Sequence, residues 1–332
     1  MRLGRTPLFA ALALGLLLAL SAPAQALEAE ALVPGGTAVG IEMETDGVTV
    51  VGLTGVETEA GVLRPAEAAG LREGDVIRGI DGVRVDSAAE LLAALDAPEA
   101  GARSLSVERE GRELNLSVRP ARNLEGAMQL GIWLRDGVSG IGTLTFYDPV
   151  SGAFGALGHG ISDGASGELL EFDRGCITGA EVVDVIRGAP GAPGELCGRF
   201  DRDAVLGSLE KNTDRGIFGI SALPAEGTPL PVAAEAEVRL GPAVIRCSVN
   251  GTEVREYAVE ISRIYRDTED SRFLLLTVTD PALVEAAGGI VQGMSGSPIV
   301  QNGKLVGAVT HVLLNDPLRG YGISIEKMLE AA

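Results

Sequence analysis

The chain has 332 residues, 46% of them hydrophobic and 22% charged, which allows a sizeable buried core and excludes wholesale disorder. A formal charge of −19 repels phosphate backbones and anionic lipid, so nucleic-acid partners are excluded. The 46 glycines against 4% aromatics favour turns and short strands, and with only two histidines and three cysteines no metal or other cofactor is expected.

Residues 1–26 carry Arg2 and Arg5, an uncharged apolar run from Leu8 to Leu20, and a small-x-small pattern at Ala24-Gln25-Ala26. This is the form of a secretory signal peptide, with an uncleaved signal anchor as the alternative, so export across the cytoplasmic membrane is expected. An oxidising compartment permits a disulfide; Cys176 and Cys197 are the nearest pair, with Cys247 left over. Residues 27–34 read as a connector.

Residues 35–120 combine short strands with helical turns. The β-branched run GVTVVGL at 47–53 predicts a strand, PAEAAGL at 65–71 a helical turn stopped by glycine, and VIRGI at 76–80 a second strand before the tight turn Asp81-Gly82. Ser87 and Glu90 form a capping box ahead of Leu91, Leu92 and Leu95, and a hairpin follows around 110–112. The stretches AAGLREGDVIRGIDGVRV and SAAELLAAL resemble a PDZ domain. That resemblance implies binding of an extended peptide as an added strand, with the peptide loop at 37–41 and Val39, Gly40 and Ile41 at its centre.

From residue 121 to 332 strands and hairpins take over. Asn250-Gly251 and Asn302-Gly303 each predict a two-residue hairpin turn, 273–279 a buried strand, and 281–287 and 326–332 the two helices. The fold class is mainly β: a PDZ module, a small sheet with helices, followed by an antiparallel sandwich or barrel.

Within GIVQGMSGSPIVQNGKLVGAVTH, Ser295 stands in a glycine-flanked turn, where its side chain can be exposed and neighbouring N–H groups can converge on one point. A nucleophilic serine with an oxyanion hole, here assigned to Gly293 and Ser295, requires that arrangement; an ordinary surface turn is the alternative. A serine needs a base. His159, exposed by Gly158 and Gly160, fits better than His311, which sits among apolar strand residues. A carboxylate should orient the imidazole, and Asp163, Asp214 and Asp280 are candidates that proximity in sequence does not separate.

The runs FGALGHGISD, LEKNTDRGIFG and GGIVQGMSGSPIVQNGKLVGAVTHVLLNDPLRGYGISIE resemble the family of stage IV sporulation protein B, PDZ-containing serine peptidases of endospore-forming bacteria. The resemblance implies a trypsin-like antiparallel β-barrel peptidase domain over 121–332, with His159 as base, Asp280 as orienting acid and Ser295 as nucleophile. The likeness of the tail to the nucleophile region of trypsin-like proteases implies that Thr310, His311 and Val312 pair with substrate main chain. It implies protein substrates as well: the chain's own N-terminal region, and a membrane-associated regulator of an intramembrane protease that matures a mother-cell sigma factor. The expected place of action is the space between forespore and mother-cell membranes. A PDZ adaptor with a degenerate protease domain and a general envelope quality-control protease are the alternatives.

Overall fold

The computed structural model describes residues 30–96, 101–164, 167–224, 226–266 and 272–332. The expected signal peptide and residues 27–29 lie outside them.

Two closed antiparallel barrels and one small sheet-and-helix module account for most of the described chain. The first barrel is a ring of six strands in the spatial order Ala38–Leu53, Ile132–Tyr147, Ala153–Ala156, Gly216–Ser221, Glu195–Thr213 and Arg174–Ile186; the last of these returns to Ala38–Leu53. Val39, Ile41, Leu144, Phe154, Ile177 and Ile217 fill it. The second barrel has the order Gly241–Cys247, Arg255–Ile264, Leu274–Val278, Asp316–Ser324, Lys304–Leu313 and Pro298–Gln301. Along Arg255–Ile264 the buried Tyr257, Val259 and Ile261 alternate with outward-facing neighbours, the two-residue period that lets one face of a strand enter a core.

The module, which follows the first strand of the first barrel in sequence, is built on Val76–Ile80, Arg103–Arg109 and Arg112–Val118 with the helices Pro65–Ala69 and Ala88–Leu95 around Val50, Ile77, Leu91, Leu105 and Val107. Ser87 accepts from Glu90 N at 3.1 Å as expected of an N-cap, but the Glu90 carboxylate accepts from Asp86 N at 2.9 Å, one residue earlier than a capping box requires. Glu110-Gly111 and Asp81-Gly82 form two-residue turns with φ of +50° and +70°, and +50° and +80°.

The structure divides the chain differently from the linear layout of a PDZ module at 35–120 followed by a peptidase domain from 121. The strand Ala38–Leu53 belongs to both units: residues 39–44 lie between two strands of the first barrel, and Val48 and Thr49 pair with Ile77 and Val76 of the module. The module is therefore inserted within the first barrel, between two strands that pair with each other.

The expected peptide loop is displaced for the same reason. Val39 pairs with Gly142 and Gly179, Gly40 with Ile141 and Thr178, and Ile41 with Gly140 and Ile177. Both edges of this strand are taken, so no peptide can add there. At Gly40 a Cβ would stand 2.5 Å from Thr178 Oγ1, which ties that glycine to barrel packing.

Asn302-Gly303 forms the expected two-residue turn between Gln301 and Lys304, with φ of +52° and +76°. Asn250-Gly251 does not close one. Cys247 pairs with Arg255, and the longer connection reaches the first barrel, where Gly251 and Val182 exchange N–H···O bonds of 2.8 and 3.0 Å. All three cysteines are free: Cys176 stands opposite Ser208 and Cys197 opposite Asp184.

Candidate active site

A cleft of about 620 Å³ lies between the barrels, lined by His159 from the first and by Ser295, Thr310, His311 and Val312 from the second. Ser295 sits in the loop ahead of Pro298–Gln301. Gly293 and Gly296 on either side have φ of +92° and +96°, conformations that side chains resist. A Cβ on Gly296 would lie 2.0 Å from Thr143 O and 2.5 Å from Leu157 N, so glycine also permits the turn's close approach to the first barrel. Ser297 is fully buried and donates to Met294 O at 2.6 Å, a bond that tightens the turn.

Thr143 joins the barrels at this point. Its Oγ1 donates to Gly293 O at 2.8 Å and its N–H to Ser295 O at 2.9 Å. Both carbonyls point toward the first barrel as a result. Neither the Gly293 N–H nor the Ser295 N–H donates to a protein acceptor among the described residues. The Ser295 hydroxyl donates to Thr310 O at 2.6 Å.

His159 follows a strained turn. Gly158 N donates to Ala156 O at 2.9 Å around Leu157, whose φ is +68°, a sparsely populated conformation for leucine. Asn212 holds the other flank: its Oδ1 accepts from Ile161 N at 2.9 Å, and its Nδ2 donates to Ile161 O and Leu170 O at 2.8 and 2.9 Å. The imidazole Nδ1 is 2.8 Å from Gly160 O, and since a carbonyl only accepts, the proton resides on Nδ1 and Nε2 keeps its lone pair. Burial pushes the His159 pKa below its ordinary value, partly offset by that bond.

His311 is brought against His159, with ring centroids 4.8 Å apart and 34° between the planes. Desolvation, the neighbouring imidazole and Arg272 push its pKa down to about 4. The apolar strand that carries His311 delivers it, with Thr310 and Val312, to the cleft.

The structure does not bring Asp280 to His159. Asp280 caps the helix Pro281–Ala287, its Oδ1 accepting from Ala282 N at 2.9 Å and its Oδ2 from Ala258 N at 3.0 Å. A carboxylate that ends a strand directly before Pro-Ala is placed by local geometry to satisfy the first helical N–H groups. Asp163 pairs with Arg135. Among the described residues no carboxylate bonds to either imidazole; the Gly160 carbonyl occupies the orienting position. Sequence reasoning missed Thr143, Leu157 and Asn212. A usable signal was present in GVSGIGT, where glycines inside a strand mark close backbone approach: a Cβ on Gly142 would stand 2.3 Å from Leu157 Cδ2.

Two six-stranded barrels, with a glycine-set serine turn on one facing a base-competent histidine on the other, define a serine peptidase of trypsin-like fold, here carrying a PDZ module. The chain belongs to a particular family of such enzymes: the SpoIVB peptidase S55 family matches residues 126–329, more than half its length, and a PDZ-domain family matches residues 64–109. Curated protein sequences give no match. Among solved structures, the active form of the Rv3671c protease from M. tuberculosis is 18% identical over 58% of this chain and 73% of its own, with a TM-score of 0.34. The HtrA-type protease AlgW with a decapeptide is 13% identical over 61% and 52%, with a TM-score of 0.33. The PDZ domain of an SdrC-like protein from Listeria monocytogenes is 24% identical over 27% of this chain and 90% of its own, with a TM-score of 0.23.

Proposed function

We propose that Ser295 is the nucleophile and His159 the general base of an endopeptidase reaction. The observation that carries the assignment is the His159 tautomer: Nδ1–H is held by the Gly160 carbonyl, and Nε2 is left to take a proton at the mouth of the cleft that Ser295 lines. In the resting state the serine hydroxyl is turned to Thr310 O. A substrate main-chain N–H arriving at that carbonyl, along 310–312, displaces the hydroxyl toward His159. As Oγ bonds to the scissile carbonyl carbon, its proton passes to Nε2, and the oxyanion accepts from Gly293 and Ser295 N–H. His159 then protonates the leaving amine, and water repeats the sequence on the acyl-enzyme.

Membership of the family supports a finer reading. The protein is exported by its N-terminal segment, trims its own N-terminal region, and cuts a membrane-associated regulator of an intramembrane protease that matures a mother-cell sigma factor. The intact serine and histidine favour this over a PDZ adaptor. A fluorophosphonate probe on purified protein tests the chemistry: Ser295 is labelled in the wild type, and Ser295→Ala is not. Labelling that persists in Ser295→Ala refutes the assignment, and an identical N-terminus in wild type and Ser295→Ala refutes self-processing.

A further inference from the structure

Resting on the assignment of Ser295 as nucleophile, we infer that this peptidase cuts at apolar residues: the subsite beside Ser295 takes an uncharged side chain and rejects both cationic and anionic ones. The walls of the cleft come from Val138 and Ile141 of the first barrel, Ile290 and Val291 ahead of the serine turn, and Val312 and Leu314 beyond Thr310. A substrate carbonyl seated over Ser295 Oγ places its neighbouring side chain among them. Among the described residues, no aspartate, glutamate, lysine or arginine lines the cleft. The ionisable side chains of the lining, among those same residues, are the two imidazoles, both with depressed pKa and hence neutral at pH 7, and Arg272 acts on His311 from outside the lining. Ile290, 1% exposed, occupies the space over Gly320, where a Cβ would meet its Cδ1 at 2.6 Å. That packing makes this side of the cleft apolar as well.

Two electrostatic influences oppose each other. The overall charge of −19 attracts cationic substrates from a distance, but over a Debye length of about 8 Å at physiological ionic strength that field is largely screened. Removing a charged side chain from water into an unpaired apolar subsite carries a far larger penalty. The local lining decides.

The test uses peptidyl diphenyl phosphonates that differ only in the side chain next to phosphorus, read as second-order rates of Ser295 modification in the full-length protein. Leu and Val reagents should react roughly 100-fold or more faster than Lys and Glu reagents. Leu314 is 61% exposed, so Leu314→Glu leaves the fold intact and should narrow the Leu-over-Lys ratio by about tenfold. Equal rates across the series, or a faster Lys or Glu reagent, overturn the inference while the nucleophile assignment stands. So does labelling by a small fluorophosphonate with no phosphonate reacting. Absence of labelling by the small fluorophosphonate overturns both.

Discussion

Asn212 makes three hydrogen bonds from one half-buried amide to the segment that follows His159, beside the main-chain bond that Leu170 N donates to Ile161 O at 2.9 Å. Asn212→Ala removes all three. At about 1 kcal/mol net for each bond, the loss is about 3 kcal/mol, a large share of the roughly 5–15 kcal/mol that typically separates folded from unfolded chains. Ile161 is two residues from His159 and one from the carbonyl that holds its ring. Catalysis should therefore fall further than the folded population does, on the order of 100-fold for a displacement near 1 Å. Asn212→Asp sharpens the test. It keeps the acceptor for Ile161 N but turns a carboxylate oxygen toward Ile161 O and Leu170 O. Two carbonyl acceptors disfavour the charged form, so the introduced carboxyl titrates higher than an ordinary aspartate, and stability should partly recover as pH falls through that value. Urea denaturation from pH 4 to 7 reports stability, and fluorophosphonate labelling at pH 7 reports the site. An Asn212→Ala protein within 0.5 kcal/mol of wild type (the ordinary span of neutral surface changes) and labelled at the wild-type rate would refute the reasoning.

Thr143→Val keeps the shape of a side chain that is 1% exposed but leaves Gly293 O without its donor; the expected loss is about 1–2 kcal/mol, with slower probe labelling, measured together on one preparation. The His159 pKa lies below the ordinary 6.5, so kcat/KM should fall as pH drops through a value under 6.5; an acid limb centred above it contradicts burial of the base. Because the unfolded imidazole binds its proton more readily than the folded one, stability should also decline as pH falls below about 6.5. Asp280→Ala removes two acceptors from backbone N–H groups and should lower stability by about 1–2 kcal/mol, read as a urea midpoint shift, while the acid limb of the folded enzyme stays in place. A shifted limb at unchanged stability would return Asp280 to the histidine.

The turns that place Ser295 and His159 at the cleft were legible because each announces itself locally: glycines at 293 and 296, and at 158 and 160, betray turns and close approaches that the structure contains. Asn302-Gly303 was legible for the same reason, its left-handed φ pair being a property of two residues alone. Asn250-Gly251 carries the same signature yet does not close the turn, because pairing with Val182 from the other barrel outweighs a local preference. Thr143 acts on Gly293 from 150 positions away and Asn212 on Ile161 from 51, and nothing local foretells either contact. Val39-Gly40-Ile41 suits a peptide loop and a tightly packed strand equally well; the decision rests on Thr178 and Gly142, which flank it only after folding. Asp280 was misread because an aspartate at a strand end before a proline is equally a cap, and the cap forms between neighbours.

The module leaves the first barrel after Glu44 and rejoins it at Gly137, and these two residues are partners on one ladder. To the barrel, the whole module is a single overgrown hairpin loop. Loop closure entropy climbs only with the logarithm of length, so a loop of this size adds little to the cost of closing the barrel. The module is also mechanically continuous with the barrel. Gly47 bends the outgoing strand, with φ of +82°, and a bulge between Arg135 and Gly137 bends the returning one, where the Asp136 carboxylate accepts from Ala88 N of the module's longer helix at 2.8 Å. Past those bends the same two strands run on without interruption to Thr143, beneath the serine turn. A torque applied at the module thus has a stiff, hydrogen-bonded ribbon along which to reach the catalytic floor, and no flexible tether in which to dissipate.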